Sequence, residues 1–248
     1  MTFPVIMPVR GGGLFVLKAI RSAFQQTVPT MIHVINNGNE NPELTEKLLA
    51  LEVEHPTRVF VEQNHEPACV ARSWNQGLCR VFGKGSPWAL VINSDVQLHP
   101  RAYEVLLSTS RDFITGVGVS PLEGVDAGEF ERTFVEDHPP DLSREFRPHP
   151  DFSCFLIRRE VFLRVGLFDE TFRPAYMEDW DYHRRMDLAG VVAGAVDVPF
   201  LHWACGTSKV NEQVQRDLGY RRVTNEYYRR KWGAHNPGEF LAVPFGRS

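Results

Sequence analysis

An α/β fold, with a doubly wound and mostly parallel sheet covered by helices on both faces, is predicted by three observations. Short apolar runs alternate with amphipathic helical stripes from the first residues onward. The run Trp88–Asn93 (WALVIN) is almost wholly apolar, as a strand buried on both faces of a parallel sheet must be. Turn signals such as Asn36-Asn37-Gly38 stand where an apolar run ends. Alternation of this kind implies right-handed βαβ crossovers.

Taken in order, Phe3–Val9 is an apolar run crossed by Pro4 and Pro8, and Gly11–Gly13 form a flexible turn. Leu14, Leu17, Ile20, Phe24 and Val28 recur at steps of three and four, one stripe of a helix that Pro29 ends. Met31–Ile35 reads as the second strand. Pro42 opens a helix carrying Leu44, Leu48, Leu49 and Leu51 to about Val53. Arg58–Glu62 is a third strand, Pro67–Phe82 a helix, and His99-Pro100 opens another after WALVIN. Residues 121–150 are polar and acidic, contain Pro139, Pro140, Pro148 and Pro150, and show no clear period. A loop that long in a compact domain predicts a lid or a binding loop. Asp151–Arg158 returns to a strand, Glu178–Leu188 is a helix stopped by Gly190, Val191–Val198 is a strand and Asn211–Trp232 a long helix. No internal repeat or linker interrupts the pattern, so one domain over 1–248 is expected, with halves at 1–120 and 121–248.

Composition narrows the functional classes. The chain has 248 residues, 43% hydrophobic and 23% charged, which excludes a disordered or collagenous protein. A formal net charge of -4 leaves no electrostatic footprint for nucleic acid. Cys69, Cys79, Cys154 and Cys205 are scattered with no CxxC pair, which argues against a zinc knuckle or disulfide scaffold and suits a reducing compartment. The opening MTFPVIMPVR lacks a continuous apolar signal-peptide core, and no window approaches the ~20 apolar residues of a membrane span. A cytoplasmic location is expected.

In a doubly wound sheet ligands bind beyond the carboxyl ends of the strands. The loops after Val9, Ile35, Glu62 and Ile92 are therefore expected on one rim. Asp95, in the turn Asn93-Ser94-Asp95, could hold a hard divalent cation against a diphosphate, or could merely tighten the turn. Glu178-Asp179-Trp180-Asp181 places three carboxylates at a helix start, where capping alone accounts for them as readily as a general base does. His202 could complete a metal site begun by Asp95, since imidazole and carboxylate together suit Mn-like ions, or could be structural. Trp203 beside it could stack on a sugar or pack. Gly11–Gly13 fit neither GxGxxG nor a P-loop, and no GxSxG elbow occurs. Arg221–Lys231 (RRVTNEYYRRK) reads as a solvated helix face.

In this order the motifs resemble the inverting, family-2 nucleotide-sugar glycosyltransferases of GT-A fold. VIMPVR…LFVLKAIRSAFQQT is similar to the family's opening strand, loop and helix, and VINNGNEN to its second turn. NHEPACVARSWNQGL is similar to an N-x-G…N-x-G segment, with Asn64, Asn75 and Gly77 on the matching positions. VINSDVQLHP occupies the place of the DxD motif, reduced here to N-x-D, as in rhamnosyltransferase-like bacterial and phage members. CFLIRREVFLRVGLFDETFRPAYMEDWDYHRRMDLAG follows the family's longest pattern, including E-D-x-D.

The resemblance implies roles. Residues 1–120 would form the nucleotide-sugar half, and 121–248 the acceptor half with the C-terminal helix. Pro8, Val9, Asn37, Asn75, Asn93 and Asp95 would bind the donor, a UDP-, dTDP- or GDP-sugar. Asp95 and His202 would hold a divalent metal, Mn2+ or Mg2+. Asp179 would be the general base that activates an acceptor hydroxyl, with Glu178, Trp180 and Trp203 on the acceptor side. The acceptor would be a glycan, a lipid-linked sugar or a protein. The segments around Pro237 and Pro244 would wrap onto the core or onto a second copy in a homodimer. Asn36 and Asn37 replace the family's usual Asp in the second turn, so a uracil-type base is not dictated. Two other readings share the features: a sugar-phosphate nucleotidyltransferase, and a non-catalytic carbohydrate-binding or virion-associated module.

Overall fold

Nine strands share one sheet in the computed structural model, which describes residues 2–11, 13–38, 41–121, 125–146, 152–203, 220–233 and 241–246. In chain order the elements are β1 (Phe3–Val9), α1 (Leu14–Phe24), β2 (Thr30–Asn37), α2 (Pro42–Glu54), β3 (Val59–Asn64), α3 (Val70–Gly83), β4 (Trp88–Ile92) and β5 (Val96–Leu98). There follow α4 (Ala102–Leu107), β6 (Phe113–Val119), α5 (Ala127–Asp137), β7 (Asp141–Phe146), β8 (Cys154–Arg158), α6 (Arg159–Val165), α7 (Glu178–Leu188), β9 (Ala193–His202) and α8 (Tyr220–Trp232). The strand order is β3-β2-β1-β4-β8-β6-β9-β5, with β7 also paired to β9. β3, β2, β1 and β4 run parallel, as do β6 and β9. β8 lies antiparallel between β4 and β6, and β5 and β7 run antiparallel to β9. The result is the α/β architecture expected, and strands from both halves of the chain enter the one sheet.

Strand alternation sorts the apolar residues onto two faces. Val5, Met7, Val9, Leu90 and Ile92 pack under α1, α2 and α4 through Val16, Ile20, Leu44, Leu48, Tyr103 and Leu106. Ile6, Ala89, Val91, Phe155 and Ile157 face α3, α6 and α7 through Trp74, Leu78, Phe162 and Tyr182. On this second face α3 lies close on β1: a Cβ at Gly77 would stand 2.3 Å from Cγ2 of Ile6. Phe168 stacks on Tyr182 with ring centroids 3.9 Å apart. A third cluster, Phe172, Tyr228 and Trp232, seats α8.

Four departures from the sequence reading have local causes. α1 ends at Phe24 instead of reaching Val28, because the buried Gln26 amide donates to the carbonyls of Ser22 and His99 and turns the chain. α3 begins at Val70, not Pro67, since the Asn37 side chain holds Ala68 outside the helix. Residues 121–150 contain α5 and β7, where a loop was expected. Asp126 caps α5 by accepting from Glu129 N–H at 2.8 Å, but the helix buries only Phe134, too little to show a period. β9 continues four residues past Val198 through Pro199, opposite a register shift in β6 where a missing N–H is tolerated. The stretch 211–219, expected to be helical, lies outside the described residues, as does Cys205. Among the described residues no helix is long and apolar enough to cross a membrane.

Candidate active site

The parallel register aligns the carboxyl ends of the strands, with Val9 opposite Asn36 and Asn37 opposite Asn64. Val9 is fully buried and Pro8 half-buried. Asn37 makes a two-point contact with Ala68: its Nδ2 donates to the carbonyl at 2.6 Å, and its Oδ1 accepts from the N–H at 2.7 Å. Gly38 turns the chain next to it at φ +59°, where a Cβ would meet the Pro67 nitrogen at 2.8 Å. Asn64 exchanges amide hydrogen bonds with Gln76 at 2.9 Å in each direction. Asn75 in α3 is likewise engaged: Nδ2 donates to Phe168 O and to Glu170 Oε1, and Oδ1 accepts from Phe168 N. Asn37 and Asn75 thus hold the loops that shape the rim.

From this rim, hydrogen bonds lead toward the α7 side. Val70 N–H donates to Pro174 O at 3.1 Å, and Cys69 Sγ to Glu170 O at 3.5 Å.

Asn93 and Asp95 sit in the tight connection between β4 and β5. Asn93 N–H donates to Ser153 O, and its own carbonyl accepts from Val96 N–H. Antiparallel pairing places Val96 opposite His202. The residue before Val96 therefore meets the end of β9: His202 Nε2 is 3.6 Å from Asp95 Oδ1, and Trp203 N–H donates to Asp95 O at 3.1 Å. Asp95 is buried and the His202 side chain is about a quarter exposed. The two residues expected to hold a metal are thus brought together by strand pairing. Among the described residues no group of three His, Cys, Asp or Glu could hold an ion, so a cation here would need further oxygens from a ligand or water. One carboxylate, one imidazole and free coordination positions suit a Mn-like cation that a diphosphate completes.

Trp203 is fixed from the α1 side. Its Nε1 donates to Gln97 Oε1 at 2.6 Å, Gln97 donates to Glu131, and Glu131 pairs with Lys18. Phe15 and the Lys18 ammonium flank its ring at 5.4 and 5.1 Å. This chain of contacts joins α1, α5 and β5, and the sequence pattern contained no sign of it.

The acidic stretch at the start of α7 divides by helical geometry. Glu178 and Asp181, three apart, face inward, while Asp179 is half-buried and Trp180 is 40% exposed. Tyr176 and Met177 precede them at φ 80° and 74°, a left-handed conformation that costs L-residues about 1–3 kcal/mol each. The Arg221 guanidinium of α8 lies 4.2 Å over the Tyr176 ring, and Trp180 meets Tyr228 edge-on at 6.5 Å. Asp179 Oδ1 accepts from Trp180 N–H. Burial, and then the neighbouring Asp179 charge, push the Glu178 carboxyl up to about 8. Its Oε2 has no hydrogen-bond partner among the described residues.

Asp181 anchors the C-terminal helix. It is fully buried and accepts from Arg185 Nε, Trp232 Nε1 and Lys231 Nζ at 2.9, 2.9 and 2.6 Å. Lys231 also reaches Asp169 at 2.7 Å, which accepts from the Tyr227 hydroxyl as well. Burial disfavours the Asp169 carboxylate, but Lys231 and the Thr171 N–H outweigh it and hold its pKa down to about 2. Sequence reasoning assigned no role to Asp169 or Lys231. The only signal was Asp169 in the G-x-F-D-E string.

Residues 5–166 match the family model described as Glycosyl transferase family 2. A galactofuranosyl glycosyltransferase of Leishmania donovani is 27% identical over 211 residues, 66% of this chain and 48% of that protein. The chain thus spans about half the length of that relative. The fold is similar to GalNAc-T7, solved with UDP, GalNAc and Mn2+ (TM-score 0.65, 15% identity, covering 82% of this chain and 44% of that one). It is also similar to the mannosyltransferase PcManGT of Pyrobaculum calidifontis, solved with GDP-Man and Mn2+ (0.59, 14%, 81% and 56%). S. aureus TarS 1–349 in complex with UDP gives 0.60, 13%, 94% and 72%.

Proposed function

The chain belongs to glycosyl transferase family 2, and from that premise we propose that it moves a hexosyl group from a nucleotide-diphosphate sugar to an acceptor hydroxyl, with inversion. The observation that carries the reading is the convergence of Asp95 and His202 at the end of β9, beside the carboxyl ends of the parallel strands. The nucleotides in the similar structures, UDP and GDP-Man, support a donor of this class.

In this reading Pro8, Val9 and Asn93 line the donor rim, and Asn37 and Asn75 act on it through the loops they hold. Asp95 and His202 hold the divalent cation, Mn2+ or Mg2+, which when bound neutralises charge on the leaving diphosphate. Asp179 accepts the proton of the acceptor hydroxyl, which then attacks the anomeric carbon from the face opposite the leaving group. A half-buried carboxylate at a helix start is well placed to act as that base. Trp180 offers an exposed aromatic face to the acceptor sugar. Glu178, buried at the start of the same helix, shapes the acceptor side from inside. Trp203, buttressed by Phe15, belongs in this reading to the acceptor side.

The test is release of nucleoside diphosphate from a panel of UDP-, dTDP- and GDP-sugars with Mn2+ or Mg2+. Turnover of one donor, or its slow hydrolysis without acceptor, is the expected result. Indifference to every donor and both metals would overturn the reading, and release of pyrophosphate from a nucleoside triphosphate would replace it with nucleotidyl transfer.

A further inference from the structure

A cavity of about 320 Å³ lies at the opposite edge of the sheet, where β1 to β4 begin. Along β1, Phe3 lines this cavity and Val9 reaches the donor rim, a separation of about 20 Å at the usual strand rise. The volume falls within the range of small-molecule sites. Its walls are the rings of Phe3, Phe60 and Trp88, and Lys84 and Ser86 stand at its rim. The Lys84 ammonium lies 5.3 Å over the Phe60 ring and makes no ion pair among the described residues. Arg80, one helical turn earlier, is ion-paired with Glu62, so Lys84 carries the charge at the mouth.

The floor contains His33, 2% exposed and stacked on Phe60 at 5.1 Å with nearly parallel planes. Nδ1 of His33 has no hydrogen-bond partner among the described residues. An apolar body lying against the ring leaves that nitrogen as it is in the free protein, so binding asks no new hydrogen bond of the floor. Burial and the charges of Lys84 and Arg80 lower the His33 pKa to about 4, so the ring is neutral near pH 7. Aromatic walls call for a flat apolar body, and an unpaired ammonium at the mouth calls for an anion.

We propose that this cavity is a second small-molecule site, separate from the donor rim, which takes a carboxylate with a planar apolar body. The probe is 2-naphthoate, with neutral 2-naphthylmethanol as control, followed through the ring ¹H and ¹⁵N signals of His33 in the full chain. Naphthoate should shift those signals saturably at one site. The exposed substitution Lys84→Glu should weaken naphthoate at least ~10-fold and leave the alcohol unchanged. Absence of a saturable His33 shift up to the solubility limit would overturn the site. Equal naphthoate affinity in wild type and Lys84→Glu would overturn the carboxylate assignment, as would tighter binding of the alcohol.

Discussion

His202 Nε2 stands 3.6 Å from Asp95 Oδ1 because β5 pairs antiparallel with β9 and sets Val96 opposite His202. If the pair holds a cation as proposed, loss of either side chain would remove half of the protein's contribution to it. Asp95→Ala and His202→Ala should each lower kcat/KM by roughly 100-fold or more and raise the Mn2+ concentration needed for half-maximal rate. Steady-state kinetics over a Mn2+ titration read both effects. Unchanged metal dependence in either variant would show that the pair is structural.

Asp179→Asn keeps the shape and the hydrogen bond from Trp180 N–H but cannot accept a proton. It should retain nucleotide binding and lose transfer by roughly 10²–10⁴-fold. Isothermal titration with nucleoside diphosphate and product assay on one preparation separate the two. Transfer at the wild-type rate would remove Asp179 from the role of base.

Glu178 makes stability depend on pH. Its folded pKa is raised above that of the unfolded chain, so the folded state keeps a proton that the unfolded state releases. This contribution is complete below pH 4.5 and is lost as pH rises toward 8. Glu178→Gln is neutral throughout and escapes the loss. The Tm of the variant minus that of wild type should therefore grow between those limits, by an amount equivalent to about 1 kcal/mol or more. Parallel Tm profiles would contradict the buried, proton-bearing carboxyl.

Lys231 bridges Asp169 and the fully buried Asp181. Lys231→Met takes the cation from Asp169 and one of two cations from the buried Asp181, which keeps Arg185, and should cost about 2–3 kcal/mol in urea unfolding. The pH dependence should change too. The lowered pKa of Asp169 gives stability that is present above its ordinary 3.8 and lost as pH falls toward 2. The variant should lose less across that interval than wild type. An unfolding midpoint like that of wild type would place α8 outside the cooperative core.

Gly77 permits the approach of α3 to β1. Gly77→Ala would set a methyl 2.3 Å from Ile6 Cγ2 and should destabilise by about 1–3 kcal/mol, outweighing the helix propensity gained. A variant with raised Tm would show that Ile6 repacks freely.

What the sequence disclosed followed physical strength. β1, β4 and α7 were legible because apolar runs and a glycine stop are local signals, and β1 and α7 have the bounds expected. The pairing of Asp95 with His202 was anticipated through chemistry and family likeness, since no local pattern encodes the β5–β9 register. α5 and β6 escaped for different reasons: α5 buries a single aromatic ring, and β6 carries Gly116 and Gly118 in an otherwise apolar strand. Glu178 and Asp181 looked equivalent to Asp179 as letters. Only the packing of α8 shows which carboxylates are buried.

The most direct measurement of the proposed metal centre is anomalous scattering from Mn2+ in crystals grown with a nucleoside diphosphate. One peak is predicted within coordinating distance of Asp95 Oδ1, His202 Nε2 and the diphosphate oxygens. A peak elsewhere, or a bound nucleotide whose diphosphate lies away from Asp95 and His202, would contradict the assignment.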